Sequence, residues 1–336
     1  MTIWKELLET AIHAPSPHNV QPWRIKIVSD SEAELFIDIN RTLPKEDITG
    51  SFIILTMGIF IESLSIVAAN NGKAISYELL KEPTWYAETI INPNGMKLLP
   101  FAQLRLEDRE NKDTAYPNSL FLSRRTSRLT LDDRSVPDAA KQSLSDLAVQ
   151  YGQRYEQITD QKTIEHLLQL NITAVFEDLN LPSYHDEIVE WFRFTSKAAL
   201  EHRDGLDFRC MNASRPAFWL SAKFPTLMKV PVVRSLLRKI YRVQLANVPT
   251  IGILAGAFWD PADAFKTGRF LMRFWLETAQ HSLYMHPYGN LVTNKPAAEL
   301  TLKKTGVPGA WLIFKIGYSK EPPKSYRRSI EEILVD

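Results

Sequence analysis

One cysteine, Cys210, is all this chain of 336 residues has, so no intrachain disulfide can form, which fits a reducing compartment. An excess of one charge is also missing. Lys and Arg number 40 against 39 Asp and Glu, a net +1, so no global field would draw the chain to nucleic acid or to a membrane. Glycine is sparse, at 13 residues. No Gly-x-Gly-x-x-Gly follows a strand and there is no Walker-type loop, which argues against a Rossmann dinucleotide site; a Ser nucleophile elbow is absent too. The seven histidines are scattered without helical ligand spacing, so no metal site is expected. Met1 to Thr10 lacks the basic start and cleavage site of a signal peptide. The expectation is a cytoplasmic protein with no nucleic-acid or membrane partner.

What the chain does have is ample apolar material, 45% of its residues, enough for two domains or one large one. The apolar run Phe52 to Ala69 is long enough to span a membrane, but Glu62, Ser63, Ser65 and Gly58 within it favour a buried core helix closed by Asn71-Gly72. Before it, Trp4, Leu7, Leu8 and Ile12 share a helical face. Strands are expected over 24–28, 34–39, 74–80 and 101–106. Residues 107–119 read as a linker. Helices follow over 136–151, started by Ser135-Val136-Pro137-Asp138, over 161–178 and over 268–283. Strands are expected near 154–159, 248–258 and 311–317. Residues 186–246 read as a helical insert, broken by Pro216, Pro225 and Pro231. Its Trp191, Phe192, Phe194, Phe218, Trp219, Phe224 and Leu227 are too many large apolar groups for a free excursion. Trp23, Trp219 and Trp275 are expected in the core.

Chemistry concentrates in three places. Ser123-Arg124-Arg125-Thr126-Ser127-Arg128 puts three arginines and three hydroxyls in six residues with no acid among them. It is either a solvated basic loop or a phosphate site, since a guanidinium fork matches phosphate oxygens. Pro15 to Trp23 is an extended, proline-held loop carrying Ser16, His18, Asn19 and Gln21, which offer both donors and acceptors. The turn Pro287-Tyr288-Gly289 could bring backbone N–H groups close to a flat ring. Together they suit a ligand with one phosphate and a heteroaromatic ring.

Pro15-Ser16-Pro17-His18-Asn19-Val20-Gln21-Pro22-Trp23 resembles the Pro-Ser-x-x-Asn-x-Gln-Pro-Trp loop of the nitroreductase superfamily. Arg124 to Arg128 resembles its basic phosphate motif, and Gly306 to Arg328 its C-terminal end. Here the loop precedes the basic motif, as in the tandem, Acg-like branch. The resemblance implies an α+β, nitroreductase-like fold: two lobes of helices around antiparallel sheets, 1–110 and 120–336, forming an intrachain pseudo-dimer with a helical cover at 186–246. It implies one FMN per chain and NAD(P)H-dependent reduction of a quinone or nitroaromatic-type acceptor by ping-pong hydride transfer. In that scheme Arg124, Thr126, Arg327 and Arg328 serve the phosphate and ribityl end. Arg128 lies at the N1/O2 edge of the ring, Ser16, Pro17 and Asn19 reach across from the first lobe, and Tyr288 and Gly289 face N5 and O4. His18 is a ligand residue or a hydrogen-bonded loop histidine, Gln21 a ligand residue or a structural amide, and Arg125 a phosphate contact or solvent-facing. No residue is required as a general acid. If the cover is fixed on the ring, the chain sequesters flavin and turns over little. The protein would be a monomer built as a pseudo-dimer, or a homodimer.

Overall fold

Two four-stranded antiparallel sheets repeat one strand order. The computed structural model describes residues 3–110, 115–212, 215–223 and 230–335. In chain order the elements are α1 (Ile3–Ala11), β1 (Trp23–Ile27), β2 (Glu32–Asp38), α2 (Ser51–Asn70), β3 (Lys73–Leu79), α3 (Pro83–Ile91) and β4 (Leu98–Asp108). There follow α4 (Asn118–Ser123), α5 (Asp138–Gln150), β5 (Arg154–Ile158), α6 (Gln161–Asp178), α7 (Pro182–Glu190), β6 (Phe192–Arg193), α8 (Ser196–His202) and β7 (Leu206–Asp207). The chain then runs through α9 (Arg215–Lys223), α10 (Pro231–Gln244), β8 (Ile251–Ala255), α11 (Pro261–Gln280), β9 (Tyr284–Pro287), α12 (Asn290–Thr293), α13 (Lys295–Thr305), β10 (Ala310–Gly317) and α14 (Ile330–Ile333). The first sheet has the order β1-β2-β4-β3 and the second β5-β8-β10-β9. In each, a long helix links the second strand to an edge strand: α2 in the first, α11 in the second. Each sheet also shifts register once, between its two central strands.

The two long helices pack against each other, and glycine makes that possible. A Cβ on Gly58 of α2 would fall 2.1 Å from the Phe265 carbonyl oxygen; one on Gly268 of α11 would fall 2.0 Å from that of Leu55. Beside this crossing, Glu62 is fully buried and takes the guanidinium of Arg269 at 2.7 Å together with that of Arg273. A buried carboxylate is tolerable only when paired in this way. α2 has the length and hydropathy of a membrane span, but it is the core. Trp23, also wholly buried, stacks on its Phe60 with ring centroids 4.6 Å apart. One apolar core draws on both halves, from Trp4 to Ile333, and a smaller one lies between α6, α12 and the second sheet.

Several sequence expectations are corrected. Ser135 does not cap α5, which starts at Asp138 behind Pro137 with no side-chain cap. α11 begins at Pro261, where the Asp260 carboxylate accepts from the Ala262 N–H. Gly268 is mid-helix, present for close approach and not as a boundary. The short helices α3 and α13 were not expected; each has a proline in its first turn. Trp219 is 44% exposed on α9, not in the core. Phe224, Pro225 and Leu227 of the insert, and residues 111–114 of the expected linker, lie outside the described residues.

Candidate functional site

The loop after α1 is held in a costly backbone shape. His18, Asn19 and Gln21 all have positive φ, at 47°, 57° and 52°. Such conformations cost non-glycine residues on the order of 1 kcal/mol each or more, and persist where surrounding bonds over-determine them. Gln21 supplies those bonds. Its amide donates to the Arg203 carbonyl at 2.9 Å and to that of Asn19 at 3.2 Å, while its oxygen accepts the Arg328 N–H at 2.9 Å. Its own N–H donates to the Ser16 hydroxyl at 3.0 Å.

The strained loop faces a cavity of about 490 Å³, within the usual range for a small-molecule site. Both halves of the chain build it. Pro15 to Asn19 come from the first half, Arg124 to Thr126, Arg128 and Pro287 to Gly289 from the second. The basic stretch reaches the cavity by joining the edge of β9: Thr126 pairs with Met285, and the Ser127 N–H donates to the Met285 carbonyl at 3.0 Å. Asn19 and Arg128 therefore line one cavity. Gln21 and Arg328 do not. Gln21 is fully buried behind the loop, and the Arg328 guanidinium is spent on the carbonyls of Gln21 and Glu332. Their expected places on the ligand are corrected to a clamp that ties the loop to the C-terminal segment.

One end of the cavity is a cluster of cations. Arg124 and Arg327 both donate to the His13 carbonyl, at 3.3 and 3.4 Å. Arg124 lies over the Trp275 ring at 4.8 Å. Burial, then the Arg327 charge, lowers the Arg124 guanidinium to about 9; burial lowers Arg327 to about 10. Lys324 lines the same end. Among the described residues neither arginine has a carboxylate partner, and Arg124 Nε and Nη1 and Arg327 Nε have no acceptor at all. Buried cations in this state call for an anion. Arg125 differs: it turns to Glu321 at 2.7 Å and to the Pro322 carbonyl at 2.5 Å.

Elsewhere the walls are apolar, with isolated polar points. Arg128 is held by the Cys210 carbonyl at 3.3 Å, and burial lowers its basicity. Asn19 Oδ1, His286 Nδ1 and the Tyr288 hydroxyl are buried without partners among the described residues. His18 is ion-paired with Glu46 at 3.0 Å. Burial opposes the His18 charge, but Glu46 outweighs it and raises the imidazole pKa. The expected insert contributes Ile188, Val189, Phe192, Leu206, Leu237 and Tyr241 to the wall. Sequence reasoning missed His13, Glu46, Lys324 and Trp275 as site residues. His13 adjoins the proline loop and was the one with a visible signal.

His13 supplies a pH test. Burial, then Arg327, Lys324 and Arg124, hold its imidazole at about 3, against 6.5 for a free histidine. The unfolded chain therefore takes up a proton below 6.5 that the folded chain refuses until about 3. Stability is lost as pH falls through that window. The His13→Gln variant is expected to lose less stability than the parent over the same window, read from thermal melts at stepped pH; parallel curves would contradict this.

No protein-family model matches the chain. It is 23% identical to "Uncharacterized protein Rv3127" of Mycobacterium tuberculosis over 341 aligned positions, 98% of this chain and 92% of the relative. It is 26% identical to the "Putative NAD(P)H nitroreductase acg" of the same organism over 189 positions, covering 56% of this chain and 53% of that protein. A solved structure described as a "putative nitroreductase" from Anabaena variabilis aligns over 95% of this chain and 73% of its own, at 10% identity and a TM-score of 0.44. The chain is thus similar over about half of its length to a protein described as a putative NAD(P)H nitroreductase, the likeness to which its Pro-Ser loop and basic motif point.

Proposed function

We propose that the cavity binds one FMN per chain and that the protein is an NAD(P)H-dependent FMN oxidoreductase acting on a quinone or a small aromatic acceptor. The observation that carries this reading is the group of buried cations without a carboxylate, at one end of an apolar cavity walled by both halves of the chain. The orphaned nitrogens of Arg124 and Arg327 suit phosphate oxygens, and Lys324 adds charge at the same end. Thr126, Ser16 and Ser325 offer hydroxyls along the way to the ring. Asn19 Oδ1, unpartnered, would accept from a ring N–H, and Pro287, Tyr288 and Gly289 flank the other edge. Bound flavin would supply two-electron hydride chemistry, with the protein binding and tuning it. Arg128, half-buried and without a carboxylate partner among the described residues, would favour electron density on the ring edge it faces. In this reading the two lobes, 1–110 and 120–336, form an intrachain pseudo-dimer, which the repeated strand order supports.

A second reading has its own observation. The segments between α7 and α10 line the cavity, where a hydride donor would have to stack. A fixed cover would leave a flavin-sequestering protein. The test is FMN titration followed by anaerobic mixing with NADH or NADPH under stopped-flow absorbance. Tight, non-covalent FMN uptake and slow but saturable bleaching, reversed by a quinone, are expected. Bleaching by dithionite alone would leave sequestration, and failure to take up FMN at micromolar concentration would defeat both readings.

A further inference from the structure

The outer side of the cover is unlike the rest of the surface. Residues 208–259 contain eight Lys and Arg and no Asp or Glu, in a chain whose net charge is only +1. The rest of the chain is therefore net acidic, and the near-neutral total hides a strongly basic segment. Within it, α10 has two apolar sides. Leu237, Ile240 and Tyr241 line the cavity. Val232, Leu236 and Val243 point outward and are 78%, 57% and 71% exposed, with Lys239 exposed in the same stripe. The spacing of four, three and four residues keeps these side chains on one helical face. Trp219, and Val230 just ahead of α10, add two more half-exposed apolar groups.

We propose that this face docks on an anionic lipid surface. A basic helix with an outward apolar stripe lies in the headgroup boundary, its apolar groups immersed and its cations among the headgroups. Each Lys or Arg near such a surface adds attraction that acts within about a Debye length, so the local charge governs and the total does not. Two cations are withdrawn from the patch, since Arg209 pairs with Asp207 and Arg242 with Glu165 of α6, and Lys229 lies outside the described residues. Arg238 lies over the Phe176 ring at 5.5 Å, and Arg215 over that of Phe208 at 5.9 Å. Lys223 and Lys239 are exposed. A second copy of the chain is the poorer occupant. A two-fold contact would set this basic face against itself, and like charges across an interface are repelled.

The experiment is co-sedimentation of the full chain with vesicles of phosphatidylcholine alone, or of phosphatidylcholine mixed with phosphatidylglycerol. Pelleting is expected only with the mixed vesicles and is expected to weaken as salt is raised. Lys239→Glu is expected to lower the partition coefficient about tenfold or more, as is the triple change Val232→Ser, Leu236→Ser, Val243→Ser. These side chains are exposed, so FMN uptake should be unchanged in both variants, which separates this proposal from the flavin reading. Three outcomes overturn it: no pelleting with anionic vesicles, pelleting indifferent to lipid charge, or pelleting that survives both variants. A monomer–dimer equilibrium abolished by the triple change, without vesicle binding, would show the face to be a contact between copies and would likewise overturn it.

Discussion

Replacing Gly58 with alanine is expected to cost the fold about 3 kcal/mol or more, although alanine is the better helix former by about 1 kcal/mol. The propensity gain is local. The new methyl would sit 2.1 Å from the Phe265 carbonyl oxygen, a backbone atom that cannot rotate away. Either α2 and α11 separate along their length or the pair twists, and both expose apolar core. Gly268→Ala meets the Leu55 carbonyl in the same way and should cost a similar amount. The double variant should cost less than the sum, because one widening of the crossing relieves both clashes. Denaturant midpoints with unchanged slopes would measure these losses. Gly289→Ala is the control: a Cβ there meets nothing within 4 Å, so its midpoint should barely move. A Gly58→Ala protein as stable as the parent would mean that the helices do not cross as described.

Arg124→Ala and Arg327→Ala are each expected to weaken FMN by about 1.5–3 kcal/mol, roughly ten- to a hundredfold or more in Kd, while leaving riboflavin nearly untouched. The discrimination rests on the phosphate, which riboflavin lacks. Neither guanidinium has a carboxylate partner among the described residues, and both give a hydrogen bond to the same carbonyl, that of His13. Removing one relieves repulsion in the ligand-free protein, so the melting temperature without flavin should not fall in step with the affinity. Arg328→Ala should behave in the opposite way. It unties the clamp to Gln21 and Glu332 and should cost stability without preferring one ligand over the other. Isothermal titration with both ligands decides. Equal losses for FMN and riboflavin at Arg124 would place the phosphate elsewhere.

That contrast shows where the sequence stops being legible. Arg327 and Arg328 are neighbours, and composition cannot say which of the two faces a cavity; only the path of the C-terminal segment past Gln21 decides. Gln21 carries the same ambiguity, since an amide can serve a ligand or a backbone, and the positive-φ loop around it needs the backbone role. Longer elements were easier. α6 matches its expected span of 161–178 because the Asp160 cap and the apolar spacing agree. α2 was visible from its hydropathy, with Glu62 the warning that its core had a polar partner waiting on another helix. α11 was begun too late because Gly268 was read as a boundary, when only a neighbouring helix could explain it. That the insert would pack and not run free was legible from its apolar content, but not which way Trp219 would face.

The crossing of α2 and α11 also bears on what dilution can do to the cavity. Its walls come from two halves that share one core and one chain, so the second half is present at an effective concentration that does not depend on how much protein is in solution. A site assembled between separate subunits loses its walls when the protein is scarce. Here the described walls belong to one chain, so dilution alone would not separate them.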